Sequence, residues 1–376
     1  GIITRQITTL LEQKSHFSKL KEQCEYGSPD WYTAHAKRAV VKEMANSSYG
    51  VFGDAQSRFF EKDIAEAITL FGQFMIKTTI MFFLQKGYKV LGGDTDSIFI
   101  EIPKEVDIEA LITEVTNSYL SILKQFNIDK HYFKVGCEKE FDCFGVVAKK
   151  NYFGFITAID GKDASHLPVR KRIYVKGLDV VKKSTTEHCK NMLWETLERC
   201  LHRKEDVYSV LDWLLEEKKA FLEGTIPLDK IIIRKTLSHN TDYYEGTMTD
   251  EDGNDKKKKD GTVRQKSVPL HVKIAKDMKA RNKEVYVGDL IEYVITDGKT
   301  PATGIHISDF KGEFDKEYYW DKQIFSAIER VVGIVYQALP YLAKYQKVNT
   351  KKQTSVEEWH NFMTWNDLKI ADRKSG

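Results

Sequence analysis

The string Gly92-Gly93-Asp94-Thr95-Asp96-Ser97 constrains this chain more than any other. It separates two short runs that read as strands, residues 89–91 and 97–102, the second rich in β-branched and aromatic residues. Gly92 and Gly93 permit tight turning and close approach. Asp94 and Asp96, two apart on an extended segment, are expected to project to one side of the strand tip. Two converging carboxylates repel unless a cation sits between them. A hard divalent ion with oxygen ligands, Mg²⁺ above all, is the natural cation for phosphate chemistry. Read alone, the string is also an ordinary Asp-rich hairpin turn.

Upstream lies Lys42-Glu43-Met44-Ala45-Asn46-Ser47-Ser48-Tyr49-Gly50. On a helix, Arg38, Lys42, Asn46 and Tyr49 share one face. The stripe runs from cations through an amide to a phenol, which suits a triphosphate at one end and a base or sugar at the other. A polar solvent face would show the same spacing. Lys14 and Lys21, on a helix predicted just before, add charge if they face the same cleft.

The chain has 376 residues, enough for two or three domains, each with a core of its own. It is 41% hydrophobic and 12% aromatic, which argues against wholesale disorder. A net charge of +3 implies nothing by itself, but basic clusters recur at Lys149-Lys150, Arg170-Lys171-Arg172, Lys182-Lys183, residues 256–259 and Lys351-Lys352. Five cysteines without a CxxC pair point to reduced, small buried thiols in an intracellular protein, and Cys137 and Cys143 lack the further ligands a zinc site needs. No apolar run approaches the length of a membrane span. The opening Gly1-Ile2-Ile3, without an initiator methionine, suggests a processed, split or trimmed product.

The periodicity predicts helices over residues 2–23 and 31–48, joined by a turn at Gly27-Ser28-Pro29-Asp30 into an antiparallel hairpin. Further helices are expected over 63–86 and 108–126, and strands near 131–136, 146–159 and 170–176. Beyond Ser184 the pattern turns mainly helical, with helices at 186–201, 207–223, 268–281 and 320–339. The polar, charged segment 245–265 reads as a mobile surface loop. The fold class is therefore α+β.

Taken in order, Lys42-x-x-x-Asn46-Ser47-x-Tyr49-Gly50 and Asp94-Thr95-Asp96-Ser97 resemble the second and third polymerase motifs of B-family DNA polymerases. The resemblance continues along the chain. Gly1-Ile2-Ile3 through Glu12 resembles the first fingers helix. Lys149-Lys150-Asn151-Tyr152 resembles the family's Lys-x-Tyr motif, and Lys176-Gly177-Leu178-Asp179-Val180-Val181 the entry to the thumb. Gln265 through Val272, with Ala275-Lys276, resembles a late thumb helix.

This resemblance implies a fingers hairpin at 1–53, a palm with an antiparallel sheet and helices at 54–148, and a mainly helical thumb at 149–376. It implies that Asp96 ligates both catalytic metal ions, two Mg²⁺ with Mn²⁺ as a substitute, and that Asp94 supports it. Lys14, Lys42, Asn46 and Tyr49 would bind the incoming dNTP. Lys150, Tyr152 and Lys176 would bind primer–template DNA, and Glu140 would stand near the metals, outside their direct ligands. A sliding clamp would be a further partner, and no membrane is expected. The setting would be intracellular: cytoplasm, nucleoid, nucleus or a virus-infected cell.

Two departures matter. The family carries Arg where this chain has Lys14, and a second cation where it has Ser18. The family's first motif, an Asp followed by a Ser-Leu-Tyr-Pro-like string, is absent, so the partner aspartate is expected on an N-terminal polypeptide. Three readings compete: a split or fragment polymerase completed by that polypeptide, a non-catalytic DNA-binding relic or accessory subunit, and an unrelated Mg²⁺-dependent phosphatase or nuclease.

Overall fold

The computed structural model describes residues 2–128, 133, 135–248, 255–256 and 261–336. The chain divides into two compact units, Gly1–Val135 and Gly136–Gly376.

The first unit opens with two long helices, α1 (Ile2–Gln23) and α2 (Pro29–Gly53), packed as an antiparallel hairpin. Their junction follows from local chemistry. Ser28 is the N-cap of α2, its Oγ accepting from the Trp31 N–H at 3.1 Å, and Pro29 occupies the first turn, where no N–H is needed. The hairpin buries little beyond Leu10, Ala34 and Val41, so most of its surface is open, Leu11, Val40 and Met44 included.

α3 (Lys62–Gln85) follows and packs against α2, β1 (Lys89–Asp94) and α4 (Ile108–Lys124). β1 pairs antiparallel with β2 (Ser97–Glu101), Asp94 facing Ser97 across a two-residue turn. Asp107 caps α4, accepting from the N–H groups of Glu109 and Ala110. The core of this unit is Met75, Phe83, Val90, Leu111, Val115 and Tyr119, with the Tyr119 hydroxyl hydrogen-bonded to Thr79 inside it.

α3 is apolar on both sides. Met75, Thr79 and Phe83 face the core, while Leu70, Phe74, Met81 and Leu84 form an exposed stripe on the opposite face. The expectation that no segment reaches membrane length needs correction, because α3 is long and apolar enough by length and composition. One of its faces is nevertheless taken by the unit's core.

The second unit begins with a four-stranded antiparallel sheet. A long hairpin, β3 (Lys139–Ala148) and β4 (Asn151–Ile159), is flanked by β5 (Lys162–Asp163), and after a single helical turn, α5 (Val169–Arg172), β6 (Ile173–Lys176) pairs with β4. α6 (Glu187–Leu197), extended by a π-helical turn through Glu198–His202, and α7 (Val207–Glu223) lead to β7 (Ile233–Thr236). Then come α8 (Leu270–Ala280), β8 (Leu290–Asp297) and β9 (Thr303–His306). α9 (Lys316–Tyr318), a second π-helical stretch and α10 (Ser326–Tyr336) close the described chain. One large core gathers Phe153, Leu193, Leu197, Ile291, Trp320 and Ile328. Cys189 and Cys200 are buried in it, and burial pushes their thiols up to about 12 and about 11, so they are inert packing groups.

Most expected elements are present, but several differ, the strand expected at 170–176 among them, which begins as the helical turn α5 and is a strand only over Ile173–Lys176. The strand–helix reading missed the sheet β7–β8–β9 in a region read as mainly helical. The run 146–159 is the end of one strand and the whole of the next, reversing at Lys149-Lys150. Of the segment 245–265, residues 249–254 and 257–260 lie outside the described residues, and its ends pair, Thr247 with Gln265. The strand expected at 131–136 falls partly outside them too, and Val135 and Gly136 are not in a strand.

Candidate functional site

The acidic turn differs from the geometry expected of it. Asp94 ends β1 and Asp96 lies in the turn, so the two carboxylates do not share one extended strand. Asp94 is buried, 7% exposed, and accepts a hydrogen bond from its neighbour Thr95 Oγ1 at 3.1 Å; Asp96 is exposed. The Asp96 N–H donates to the Asp94 carbonyl at 2.8 Å and Ser97 Oγ donates to the same oxygen at 3.1 Å, which locks the loop. Thr95 takes a φ of 61°, a left-handed conformation that a β-branched residue rarely holds. Such outliers cost on the order of 1–3 kcal/mol and persist where the surroundings over-determine them.

On α2, Lys42, Asn46 and Tyr49 stand exposed on one face, as the spacing predicts. Among the described residues the Lys42 and Asn46 side chains make no hydrogen bond or ion pair. Arg38, one turn earlier, is half-buried and donates from Nε to Ser18 Oγ on α1 at 3.0 Å. Lys14 lies on α1 one turn before Ser18, whose hydroxyl also donates to the Lys14 carbonyl at 2.9 Å. The α2 stripe and the acidic turn thus sit on separate elements of the first unit, and α3 packs against α2 and the β1–β2 pair that carry them.

In the second unit the structure brings Lys150, Tyr152 and Lys176 together. Lys150 sits in the β3–β4 turn with φ 62°. Asn151, in the amide orientation its neighbours require, donates from its side-chain nitrogen to the Gly177 carbonyl at 2.7 Å and to the Lys150 carbonyl at 3.3 Å. Gly177 has φ 71°, and a Cβ there would lie 2.1 Å from the Lys150 carbonyl oxygen, so only glycine lets the turn seat on the end of β6. Tyr152 is buried, 4% exposed, between Phe144 and Tyr174. Asn151 and Gly177 seat the β3–β4 turn on β6, a structural role that the sequence motifs did not assign to them; the glycine directly after a strand was the available signal.

Glu140 is half-buried on β3, opposite Ala158. Among the described residues no three His, Cys, Asp or Glu side chains gather as a metal site would require. Asp94 and Asp96 offer hard oxygen donors of the right kind for Mg²⁺, but one turn does not close two octahedral shells. The described residues therefore supply two carboxylates from one turn and no complete metal site.

A family model, DNA polymerase family B, matches residues 1–251. The chain belongs to DNA polymerase family B. Relatives include the DNA polymerase alpha catalytic subunit of Drosophila melanogaster, 26% identical over 89% of this chain and 22% of that protein. The DNA polymerase of Thermococcus gorgonarius is 25% identical over 96% of this chain and 42% of its own length, and DNA polymerase 2 of Aeropyrum pernix is 29% identical over 81% and 33%. The chain thus spans less than half the length of these relatives. The structure of the family B DNA polymerase from the archaeon Pyrobaculum calidifontis shares the fold at a TM-score of 0.50 and 22% identity, covering 88% of this chain and 38% of that one. The mixed α+β architecture is that of a family B polymerase.

Proposed function

We propose that this chain supplies the nucleotide-gripping, metal-carrying and duplex-holding parts of a template-directed DNA polymerase, in fingers (1–53), palm (54–148) and thumb (149–376). The observation that carries the reading is the unneutralised Lys42–Asn46 face of α2, in one unit with an exposed carboxylate at a strained turn. The order cation, amide, ring along that face suits the phosphates, sugar and base of a dNTP.

Asp96, the exposed member of the pair, would hold the divalent ions, Mg²⁺ or Mn²⁺, with Asp94 behind it keeping the turn in shape. When bound, such ions lower the pKa of the primer 3′-hydroxyl and stabilise the leaving pyrophosphate. Lys42 neutralises charge gathering on the departing phosphates, and Asn46 and Tyr49 position the sugar and base. Lys150 and Lys176 meet phosphates of the primer strand. Tyr152, enclosed as it is, fixes them and does not itself offer a broad contact. A polymerase segment carrying the family's first motif, on an N-terminal polypeptide, would supply the missing aspartate. DNA as substrate implies an intracellular setting, and a sliding clamp would hold the enzyme on it.

Primer extension tests this. The chain mixed with an N-terminal polymerase polypeptide bearing the first motif should extend a primer in Mg²⁺, and either component alone should not. Robust extension by the single chain would overturn the need for a partner. A second reading, a DNA-binding relic, is favoured by the two-carboxylate set; it requires that the mixture bind primer–template and never extend it.

A further inference from the structure

The α1–α2 hairpin carries a second cation on the α2 stripe, Arg38, whose hydrogen-bond partner lies on the other helix. Arg38 spends its Nε on Ser18 Oγ, and among the described residues its two terminal nitrogens make no hydrogen bond or ion pair. Lys14 and Lys42 have no carboxylate partner among them either. The helices run antiparallel, Lys14 and Ser18 are four residues apart, and so are Arg38 and Lys42. The contact that sets Ser18 against Arg38 therefore sets Lys14 level with Lys42. Three cations and one hydroxyl make a quadrilateral across the groove between the helices. Like charges grouped this way repel and destabilise the hairpin unless an anion joins them.

We infer that Arg38 is a polyphosphate-binding residue of the nucleotide site, and that Ser18 is a positioning residue that holds its guanidinium toward the phosphates. The inference rests on the proposed dNTP site and adds two residues to it. A guanidinium anchored through Nε presents its two terminal NH₂ groups as a fork, the geometry that grips two phosphate oxygens at once. The side chain is half-buried and held at its neck, so less rotamer freedom is lost on binding than for an unrestrained lysine. Ser18 thereby serves the site through a residue on the neighbouring helix: the hydroxyl carries no charge, but it directs one.

Binding of inorganic tripolyphosphate and of dTTP to the 376-residue chain, without divalent ions and at low salt, provides the test. Arg38→Ala should weaken both about tenfold or more, the scale expected for hydrogen bonds to a charged group. Arg38→Lys should restore part of the loss, since charge returns without the fork. Ser18→Ala should weaken both by a smaller factor, and Ser18→Thr, which keeps the hydroxyl, should restore them. A single-stranded dT oligonucleotide, measured in parallel, should bind all variants alike. Lys42→Ala is the reference. If it weakens tripolyphosphate binding while Arg38→Ala does not, the inference fails and the proposed site stands. If Arg38→Ala weakens only the oligonucleotide, Arg38 is a DNA contact and the inference also fails. If the unaltered chain binds neither polyphosphate, or if neither Arg38→Ala nor Lys42→Ala weakens that binding, both the inference and the proposed nucleotide face are overturned. Circular dichroism of each variant checks that the hairpin keeps its helices.

Discussion

Tyr152 faces Lys176 across the β4–β6 ladder, and the Lys176 ammonium lies 5.8 Å from the centre of the Tyr152 ring. The buried ring holds the exposed cation in place, and the neighbouring Lys150 turn is pinned to the same strand end through Asn151 and Gly177. A cation positioned by an aromatic face is the kind of contact that neutralises one phosphate at a fixed point.

Lys176→Ala should therefore weaken primer–template binding equally for all sequences and flatten its salt dependence by about one counterion. Tyr152→Ala should produce much of the same loss, although the ring itself is enclosed. Filter-binding isotherms across a salt series give both slopes, and an unchanged slope in Lys176→Ala would remove the residue from the duplex surface.

Gly177→Ala should be far more damaging than a surface glycine replacement. The added Cβ meets a backbone carbonyl, and the backbone conformation is left-handed, so the β3–β4 turn must lift from β6. A stability loss of about 2 kcal/mol or more is expected, together with weaker DNA binding. Urea unfolding measures the first and a mobility shift the second; a neutral outcome in both would show that the turn does not need this seat.

The two aspartates should separate cleanly. Asp96→Asn should leave the melting temperature unchanged and abolish primer extension by the assembled enzyme, because an exposed carboxylate contributes little to folding. Asp94→Asn should alter the melting temperature as well, because its side chain is buried inside the turn. Equal effects on melting would contradict the division of roles between them.

His188 links the second unit to pH. Its ring lies 4.9 Å from that of Phe221, and burial holds its pKa below the ordinary value of 6.5, with Glu217 acting against the shift. A depressed folded pKa means that the unfolded chain takes up the proton first. The stability is thus whole above the ordinary value and falls as pH drops below it toward the folded pKa. His188→Phe should narrow the stability difference between about pH 8 and about pH 5.5. His271 and His306, also depressed by burial, would sustain part of the remainder. Chemical denaturation at the two pH values decides it, and an undiminished difference in the variant would place the acid sensitivity elsewhere.

Legibility in the sequence followed the range of the forces involved. α1, α2, α3 and α4 could be read within a residue or a few at most ends because helix periodicity and the Ser28-Pro29 start are local signals. The exposed Lys42, Asn46 and Tyr49 were legible for the same reason. The sheet β7–β8–β9 was not, because Ile233–Thr236 pairs with Leu290–Asp297 across a long intervening stretch and β7 is only four residues long. The contrast between Asp94 and Asp96 was hidden too: it depends on where the chain reverses, and Thr95 is a poor residue from which to foresee a positive φ. The link from Arg38 to Ser18 requires the register of two helices, which spacing along one of them does not contain.

The exposed stripe of Leu70, Phe74, Met81 and Leu84 on α3 bears on how this polypeptide fares in a cell. An oily row of that length is what holdase chaperones grip and what degradation machinery reads as unfinished folding. A copy that finds no cover for the row would be short-lived or would clump, while a covered one would persist.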